Sequence, residues 1–122
     1  IARVEDYKEY FECNVESPYM SFAPLVKKAY RDTLKEIVHV DGTARLQTVR
    51  QETNGVIWRL LKMYKERFKQ GVLLNTSFNI KGRPILTTYK DAFEVMSTTE
   101  LDGLFDGQSL YAKNSSIVRK QR

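Results

Sequence analysis

The sequence contains one cysteine and one histidine among its 122 residues, and this scarcity excludes several common kinds of site. Cys13 has no partner for an internal disulfide bond, a composition typical of a reducing compartment. A structural zinc site needs about four nitrogen or sulfur ligands at regular spacing, and Cys13 and His39 do not supply them. The sequence therefore predicts no metal ion bound by this chain and a cytoplasmic location.

Membrane-spanning segments and glycine-rich phosphate loops are also missing. No run approaches the ~18 apolar residues that can span a bilayer, and no signal-peptide pattern stands at the start, so no membrane partner is predicted. No dinucleotide fingerprint occurs, and the lack of G-x-S-x-G argues against a hydrolase triad of Ser77, His39 and Asp41. His39 lies in an apolar run, where a histidine is structural more often than catalytic. Any phosphate site must be built from side chains and strand ends.

The charge that is present is moderately basic. Twenty lysines and arginines against 15 acidic residues give a net charge of +5, which is compatible with anionic ligands. Part of the excess lies in the tail 119–122. Another part, Lys62, Lys65, Arg67 and Lys69, falls on the polar side of a predicted helix, where a solvated face is the simpler explanation.

The hydrophobic pattern predicts a mixed α/β fold. With 42% hydrophobic residues the chain can build a core, and no linker or repeat interrupts it, so one compact unit is expected. Asp41-Gly42 predicts a turn between two strands. The predicted helices cover 5–12, 54–70 with Gly71 as the stop, and a segment opening at the capping box Thr88–Asp91. The predicted strands cover 19–23, 37–40, 44–49, 72–74 and 109–112, with an irregular charged connection at 27–36.

A polar run follows the apolar segment 71–74. In an extended chain Asn75, Ser77 and Asn79 point to one side, and Thr76 and Phe78 point to the other. Hydroxyl and amide groups at a strand end suit an oxygen-rich ligand such as a phosphate or a carbonyl. Local turn chemistry ahead of the segment 81–84 explains the same residues equally well.

A second polar cluster lies at 39–47. If this segment is extended, Thr43, Arg45 and Gln47 share one face, and the apolar residues between them share the other. The planar guanidinium of Arg45 matches phosphate or carboxylate oxygens, so Arg45 beside Thr43 is a candidate anion anchor that Ser77 and Asn79 complete from a neighbouring strand. The alternative is an ordinary surface arginine beside a hairpin turn.

Three segments, taken in order, resemble the C-terminal domain of the O-carbamoyltransferases. These are the nodulation, cephamycin and tobramycin carbamoylation enzymes, and the resemblance covers nearly the whole chain. The segments are Ser17-Pro18-Tyr19-Met20-x-Phe22-Ala23-Pro24, the stretch from His39 to Val49 (HVDGTARLQTV) and the stretch from Leu73 to Asn79 (LLNTSFN), and Asp91-Ala92, Thr99 and Leu101-Asp102 also match.

The resemblance implies a fold and an enzyme. The fold is that of threonylcarbamoyl-AMP synthase (YrdC-like), a twisted mixed sheet with flanking helices, of which this chain is the C-terminal portion. Family members activate carbamoyl phosphate with ATP and Mg²⁺, giving carbamoyl-adenylate and pyrophosphate. A larger N-terminal kinase-like domain, which holds iron or another metal, then passes the carbamoyl group to a hydroxyl-bearing small-molecule acceptor.

The resemblance also implies roles for particular residues. Arg45 binds phosphate or carbamoyl oxygens, and Ser77 and Asn79, the S-x-N element of the fold, hold the carbamoyl-adenylate. The alternation of side chains along the two extended segments, and not the resemblance, adds Thr43 and Asn75 as further candidate substrate- or nucleotide-binding residues. No catalytic residue is identified, because an anionic carbamate needs no general base.

The chain departs from the family pattern in two places. The K-x-R element that supplies further basic residues precedes the region where this chain starts, and Arg83 stands where many relatives have an acidic residue. Residues 1–122 are therefore expected to be a domain fragment that does not complete carbamoyl transfer alone. An unpaired sheet edge favours a homodimer. The alternatives are a YrdC-like RNA- or nucleotide-binding module without transferase activity, and a non-catalytic interaction domain.

Overall fold

The computed structural model describes residues 1–79, 82 and 84–113. Predictions for Lys81, Arg83 and the basic tail 119–122 lie outside these residues. In chain order the elements are β1 (Ala2–Arg3), α1 (Tyr7–Tyr10), two 3₁₀ turns (Lys28–Tyr30 and Lys35–Ile37), β2 (Thr48–Val49), α2 (Gly55–Phe68), α3 (Tyr89–Thr98), β3 (Gly103–Phe105) and β4 (Leu110–Ala112).

Helices and short strands are mixed along the chain, which confirms the predicted mixed α/β class. The described strands form two two-stranded sheets, β1 with β2 and β3 with β4. The chain divides into two compact units, Ile1–Asn75 and Thr76–Arg122, where the sequence predicts one. No proline- or glycine-rich linker marks the boundary, so the pattern carries no signal for it.

The first unit is organised around β1, which pairs on both sides. Ala2 faces Thr48 of β2 in parallel register, and it also forms an antiparallel bridge with Val72. Backbone hydrogen bonds from Ala2 N to Gln47 O (2.9 Å) and from Leu73 N to Ile1 O (3.0 Å) hold these segments together. Of the strand predicted at 72–74, only Val72 takes part in a bridge.

The core of the first unit combines aromatic and aliphatic side chains. The Tyr10 and Tyr30 rings meet edge to face at 4.8 Å, and the Tyr10 hydroxyl accepts a hydrogen bond from Gly71 N at 2.8 Å. This buried phenol therefore has the partner that burial requires. The buried core residues are Ala2, Tyr7, Tyr10, Phe11, Val26, Leu34, Ala44, Leu46 and Val72.

Helix α2 begins at the predicted position, but a residue other than the predicted one ends it. Asn54 caps the helix, because its side-chain oxygen accepts a hydrogen bond from Ile57 N at 3.2 Å. At the other end Lys69 adopts a left-handed conformation with φ of 59° and terminates the helix. Gly71 is therefore not the stop, and its prediction as such is wrong.

Two predicted strands do not form, and the strand predicted at 44–49 is reduced to β2. Met20 has φ of 56°, which interrupts an extended backbone at 19–23. Ile37 ends a 3₁₀ turn and His39 opens the Asp41-Gly42 turn, which leaves no room for a strand at 37–40. Helix α1, Tyr7–Tyr10, is shorter than the predicted 5–12. The segment predicted to close the main sheet pairs as β4 with β3 instead.

The second unit contains α3 and a β-hairpin. Strands β3 and β4 pair in antiparallel register, with Leu104 opposite Tyr111, and the Tyr111 ring meets Phe93 of α3 edge to face at 4.9 Å. The predicted cap of α3 is confirmed: Thr88 Oγ1 accepts a hydrogen bond from Asp91 N at 3.2 Å. None of the described helices is long and apolar enough to cross a membrane.

Replacing Thr88 with alanine is expected to lower the free energy of unfolding by about 1 kcal/mol, because the first turn of α3 loses its side-chain cap. Denaturant unfolding measures the change. Thr87→Ala is the matched control, because the neighbouring Thr87 is exposed and caps nothing. Equal unfolding midpoints for the two variants would contradict the assignment of the cap.

Candidate functional site

The candidate site is built on the extended segment 43–47. Ala44 and Leu46 are each 1% exposed and point into the core, whereas Thr43, Arg45 and Gln47 face outward. This alternation confirms the prediction that the three polar residues share a face. A hydrogen bond from Ala44 N to Pro24 O (3.0 Å) holds the backbone in place.

Thr43, Arg45 and Gln47 form a row of outward-facing polar side chains, and Asn75 extends this row from another segment of the chain. Its Nδ2 donates a hydrogen bond to Gln47 Oε1 at 2.5 Å, and Gln47 Nε2 donates to Pro18 O at 3.2 Å. The Asn75 Nδ2 is thereby directed to Gln47, and its Oδ1 is the amide atom left to accept a hydrogen bond from a ligand. The structure thus brings together Thr43, Arg45 and Asn75 in the first unit.

The row begins at the predicted Asp41-Gly42 turn, which is confirmed. Gly42 N donates to His39 O (2.9 Å), and His39 N donates to Thr43 O (2.7 Å). Gly42 has φ of +82°, and a Cβ at this position would lie 2.8 Å from the Arg31 guanidinium carbon. The positive φ favours glycine here, because other residues rarely adopt this conformation.

A chain of side-chain hydrogen bonds lies across this turn. The Thr43 hydroxyl donates to Asp41 Oδ1 at 2.7 Å, and Thr43 N donates to the same oxygen at 3.0 Å. These bonds hold the pKa of Asp41 below its ordinary value, because both favour the carboxylate. His39 Nδ1 lies 2.9 Å from Thr43 Oγ1.

A cavity of about 300 Å³ opens beside the row. Its polar lining comes from Glu36, His39, Arg45 and Asn75. Its apolar lining includes Phe11, Ile37, Val38, Leu46 and Leu73. An apolar wall with a few convergent polar groups is the usual character of a small-molecule site.

The charged side chains in the lining of this cavity are Glu36 and Arg45, and the candidate anion anchor is Arg45. Among the described residues it has no hydrogen-bond partner and no carboxylate within 4 Å, whereas Arg3 and Arg50 form ion pairs with Asp6 and Glu16. Its guanidinium is available to an anionic ligand. Its position in the cavity lining separates Arg45 from an ordinary surface arginine, whereas the missing ion pair does not, because the exposed Arg59 also has none among the described residues.

Ser77 and Asn79 belong to the second unit. Ser77 Oγ donates a hydrogen bond to Asn79 Oδ1 at 2.7 Å, so the structure brings these two predicted site residues together. The segment does not end a regular strand, and Leu86 N donates to Phe78 O at 3.1 Å across it.

The basic face of α2 divides into two parts. Lys62, Arg67 and Lys69 are exposed, as the solvated-face interpretation predicts. Lys65 instead donates hydrogen bonds to Asp6 Oδ1 at 2.8 Å and to Glu9 Oε2 at 2.6 Å. Its positive charge is therefore paired with two carboxylates of the protein itself.

Sequence reasoning did not place Glu36 or His39 in the site. Glu36 lies in a charged stretch with no pattern that distinguishes it from its neighbours. His39 had one usable signal, its position four residues before Thr43 across a turn. No group of three histidine, cysteine, aspartate or glutamate side chains that could hold a metal ion occurs in residues 1–79, 82 and 84–113.

Comparison with known proteins gives one family and several relatives. The family described as "Carbamoyltransferase C-terminus" matches residues 1–113. The nodulation protein NolO of Bradyrhizobium diazoefficiens is 43% identical over 118 residues, which cover 94% of this chain and 22% of that protein. The 3'-hydroxymethylcephem-O-carbamoyltransferase of Amycolatopsis lactamdurans is 32% identical over 113 residues, 93% of this chain and 21% of that enzyme. The chain thus spans about a fifth of the length of these relatives.

Proposed function

Because the chain belongs to the carbamoyltransferase C-terminus family, we propose that it supplies the part of an ATP-dependent O-carbamoyltransferase that forms carbamoyl-adenylate. Relatives include a nodulation protein and a cephem O-carbamoyltransferase. Transfer of the carbamoyl group to a hydroxyl-bearing acceptor is assigned to the rest of such a protein. The 122-residue chain alone is expected to bind substrates without completing the transfer.

The proposed step joins carbamate to the α-phosphate of ATP. Carbamate forms, together with inorganic phosphate, when water hydrolyses carbamoyl phosphate. A carbamate oxygen then bonds to the α-phosphorus of MgATP, the bond from that phosphorus to the oxygen bridging the β-phosphate breaks, and pyrophosphate leaves. Carbamate is already an anion, so this step needs charge neutralisation and alignment rather than a general base.

The position of Arg45 carries the proposal. Every reactant in this step is anionic, and Arg45 lines the cavity without an ion-pair partner in the part of the chain that is described. A guanidinium binds two oxygens of one phosphate or carboxylate in a planar fork. Its role is to hold the phosphate or carbamate oxygens against the electrostatic repulsion between the two substrates.

The remaining predicted residues are assigned orienting roles. In the first unit, Thr43 and Asn75 lie on the same row as Arg45 and offer a hydroxyl oxygen and an amide oxygen. In the second unit, the Ser77 hydroxyl and the Asn79 amide, already joined by a hydrogen bond, are the proposed contacts to the carbamoyl-adenylate. These groups carry no charge, and the hydroxyl oxygens of Thr43 and Ser77 serve as acceptors for ligand donor groups, because their hydrogens are already donated to Asp41 and Asn79.

Calorimetric titration of the chain with MgATP and with carbamoyl phosphate tests the proposal. Arg45→Ala is expected to weaken binding about 10- to 100-fold, because a charge-assisted hydrogen bond contributes about 1.5–3 kcal/mol. Arg45→Lys keeps the charge and loses the fork, so we expect an intermediate affinity.

The matched control is Arg59→Ala, which removes the same charge from an exposed position on α2. Arg45→Ala binding both ligands as tightly as the unmodified chain would exclude Arg45 as the anion anchor. Binding of RNA that weakens steeply with salt and does not change in Ser77→Ala would favour the nucleic-acid-binding module instead.

A further inference from the structure

The hydrogen bonds around His39 determine which ring nitrogen carries the proton. The Thr43 hydroxyl has one hydrogen, and the 2.7 Å contact with the Asp41 carboxylate uses it, because an ionised carboxylate only accepts. Thr43 Oγ1 can therefore only accept from His39 Nδ1, at 2.9 Å. In the neutral ring the Nδ1 carries the hydrogen, and Nε2 carries a lone pair.

That lone pair has no hydrogen-bond partner in the part of the chain that the structure describes. No hydrogen bond to His39 Nε2 occurs among the described residues, and His39 lines the same cavity as Arg45 and Asn75. In its neutral form the ring, oriented by the contact with Thr43, presents a hydrogen-bond acceptor in the same cavity as a cationic donor. The Arg45 guanidinium can only donate hydrogen bonds. Arg45 can therefore bind acceptor atoms of a ligand, and His39 Nε2 can bind a donor group.

The carbamoyl group has one feature that distinguishes it from other acyl groups on phosphate, its amino group. Its oxygens, like those of acetyl phosphate, are acceptors that Arg45 can bind. Its amino group is a donor, and it needs a neutral acceptor, because the carboxylate of Glu36 would repel the adjoining anionic oxygens.

We propose that His39 Nε2 accepts a hydrogen bond from the amino group of the carbamoyl donor and thereby selects carbamoyl over acyl donors. The inference rests on the proposed function and goes beyond it, because it assigns the residue that recognises nitrogen. Thr43 and Asp41 are the positioning residues, since they hold the ring in the tautomer that leaves Nε2 free to accept.

Two hydrolysis-stable ligands that differ only at the amino group measure its contribution to binding. Phosphonoacetamide mimics carbamoyl phosphate, and acetonylphosphonate carries a methyl group in place of the amino group. The unmodified chain is expected to bind phosphonoacetamide about 10-fold more tightly in calorimetric titration, because the methyl compound leaves the His39 acceptor unpaired.

Two variants of His39 distinguish recognition of the amino group by Nε2 from the contact of Nδ1 with Thr43. The Gln side chain of His39→Gln places an oxygen near the position of Nε2, so this variant is expected to keep the preference. The amide of His39→Asn reaches only the position of Nδ1, so the contact with Thr43 persists and the preference falls below 2-fold. Val40→Ala is the control, because Val40 lies beside His39, is fully exposed and does not line the cavity.

The outcomes distinguish the two proposals. If the unmodified chain binds both phosphonates equally, or if His39→Asn keeps the preference, the assignment to His39 is overturned and the anion site at Arg45 stands. Loss of the preference in Asn75→Ala with retention in His39→Asn would assign recognition to Asn75. If neither phosphonate binds, the proposed function fails together with this inference.

Discussion

Replacing Asp6 with asparagine is expected to lower the free energy of unfolding by about 3 kcal/mol. The Asp6 side chain is buried and accepts hydrogen bonds from Arg3 Nε at 2.6 Å and Lys65 Nζ at 2.8 Å. It thus joins β1 to α2. Asparagine keeps the shape and removes the negative charge, which leaves two cations without the carboxylate that they share.

Denaturant unfolding at neutral pH measures this loss. Asp32→Asn is the control, because Asp32 is exposed and makes no ion pair among the residues described. Lys65 keeps its second contact, Glu9 Oε2 at 2.6 Å, in the Asp6 variant, so the helix stays attached and the loss is partial. Unfolding curves that coincide for Asp6→Asn and Asp32→Asn would show that the buried contacts stabilise nothing.

The same contacts predict how stability depends on pH. Burial by itself raises the pKa of Asp6, but hydrogen bonds from Arg3 and Lys65, together with their positive charges, outweigh it and hold the pKa below the ordinary value of 3.8. The unfolded state therefore binds a proton more readily than the folded state. The stabilisation is complete above the unfolded pKa and is lost as the pH falls through the folded one. The difference in unfolding free energy between the unmodified chain and Asp6→Asn should accordingly shrink below about pH 4.

The features predicted correctly from sequence are those that depend on neighbouring residues. The cap at Thr88, the start of α2 next to Asn54 and the turn at Asp41-Gly42 each depend only on groups within a few positions of one another. The alternation along 43–47 is likewise local, because successive side chains of an extended chain point to opposite sides. Such signals are complete within a short window of sequence.

Pairing between distant segments could not be predicted in this way. Ala2 has Thr48 on one side and Val72 on the other, and nothing in the dipeptide Ala2-Arg3 identifies these partners. The β-branched run at 37–40 has strand propensity, but the turn that begins at His39 decides its conformation. Tertiary context overrides propensity in both segments.

In the candidate site, too, local features could be predicted from the sequence and contacts between distant segments could not. Thr43 and Arg45 were identified by spacing, because they lie on one face of one segment. The contact between Asn75 and Gln47 spans 28 positions, and only the fold brings these two amides together. His39 is the residue whose expected role differs most between the sequence and the structure. The sequence favours a structural histidine, whereas the fold places it at a cavity with a defined tautomer.

Replacing Leu61 with alanine should lower the free energy of unfolding by about 3 kcal/mol, through lost burial and the cavity left behind. Leu61 is the buried side chain of α2 and has an exposure of 0%, whereas its neighbour Leu60 is 49% exposed. The helix packs beside β1, and Leu61 contributes the buried contact alongside the ion pair of Lys65 and the hydrogen bond from Trp58 Nε1 to Glu5.

Leu60→Ala provides the matched control, because it removes the same atoms from the same helix and leaves helix propensity equally changed. We expect it to cost less than about 1 kcal/mol in denaturant unfolding, since a partly exposed side chain leaves no cavity. Similar losses for the two variants would mean that α2 packs through a different face. A large loss confined to Leu61→Ala would show that the exposed side chain of Leu60 contributes little to folding of this chain.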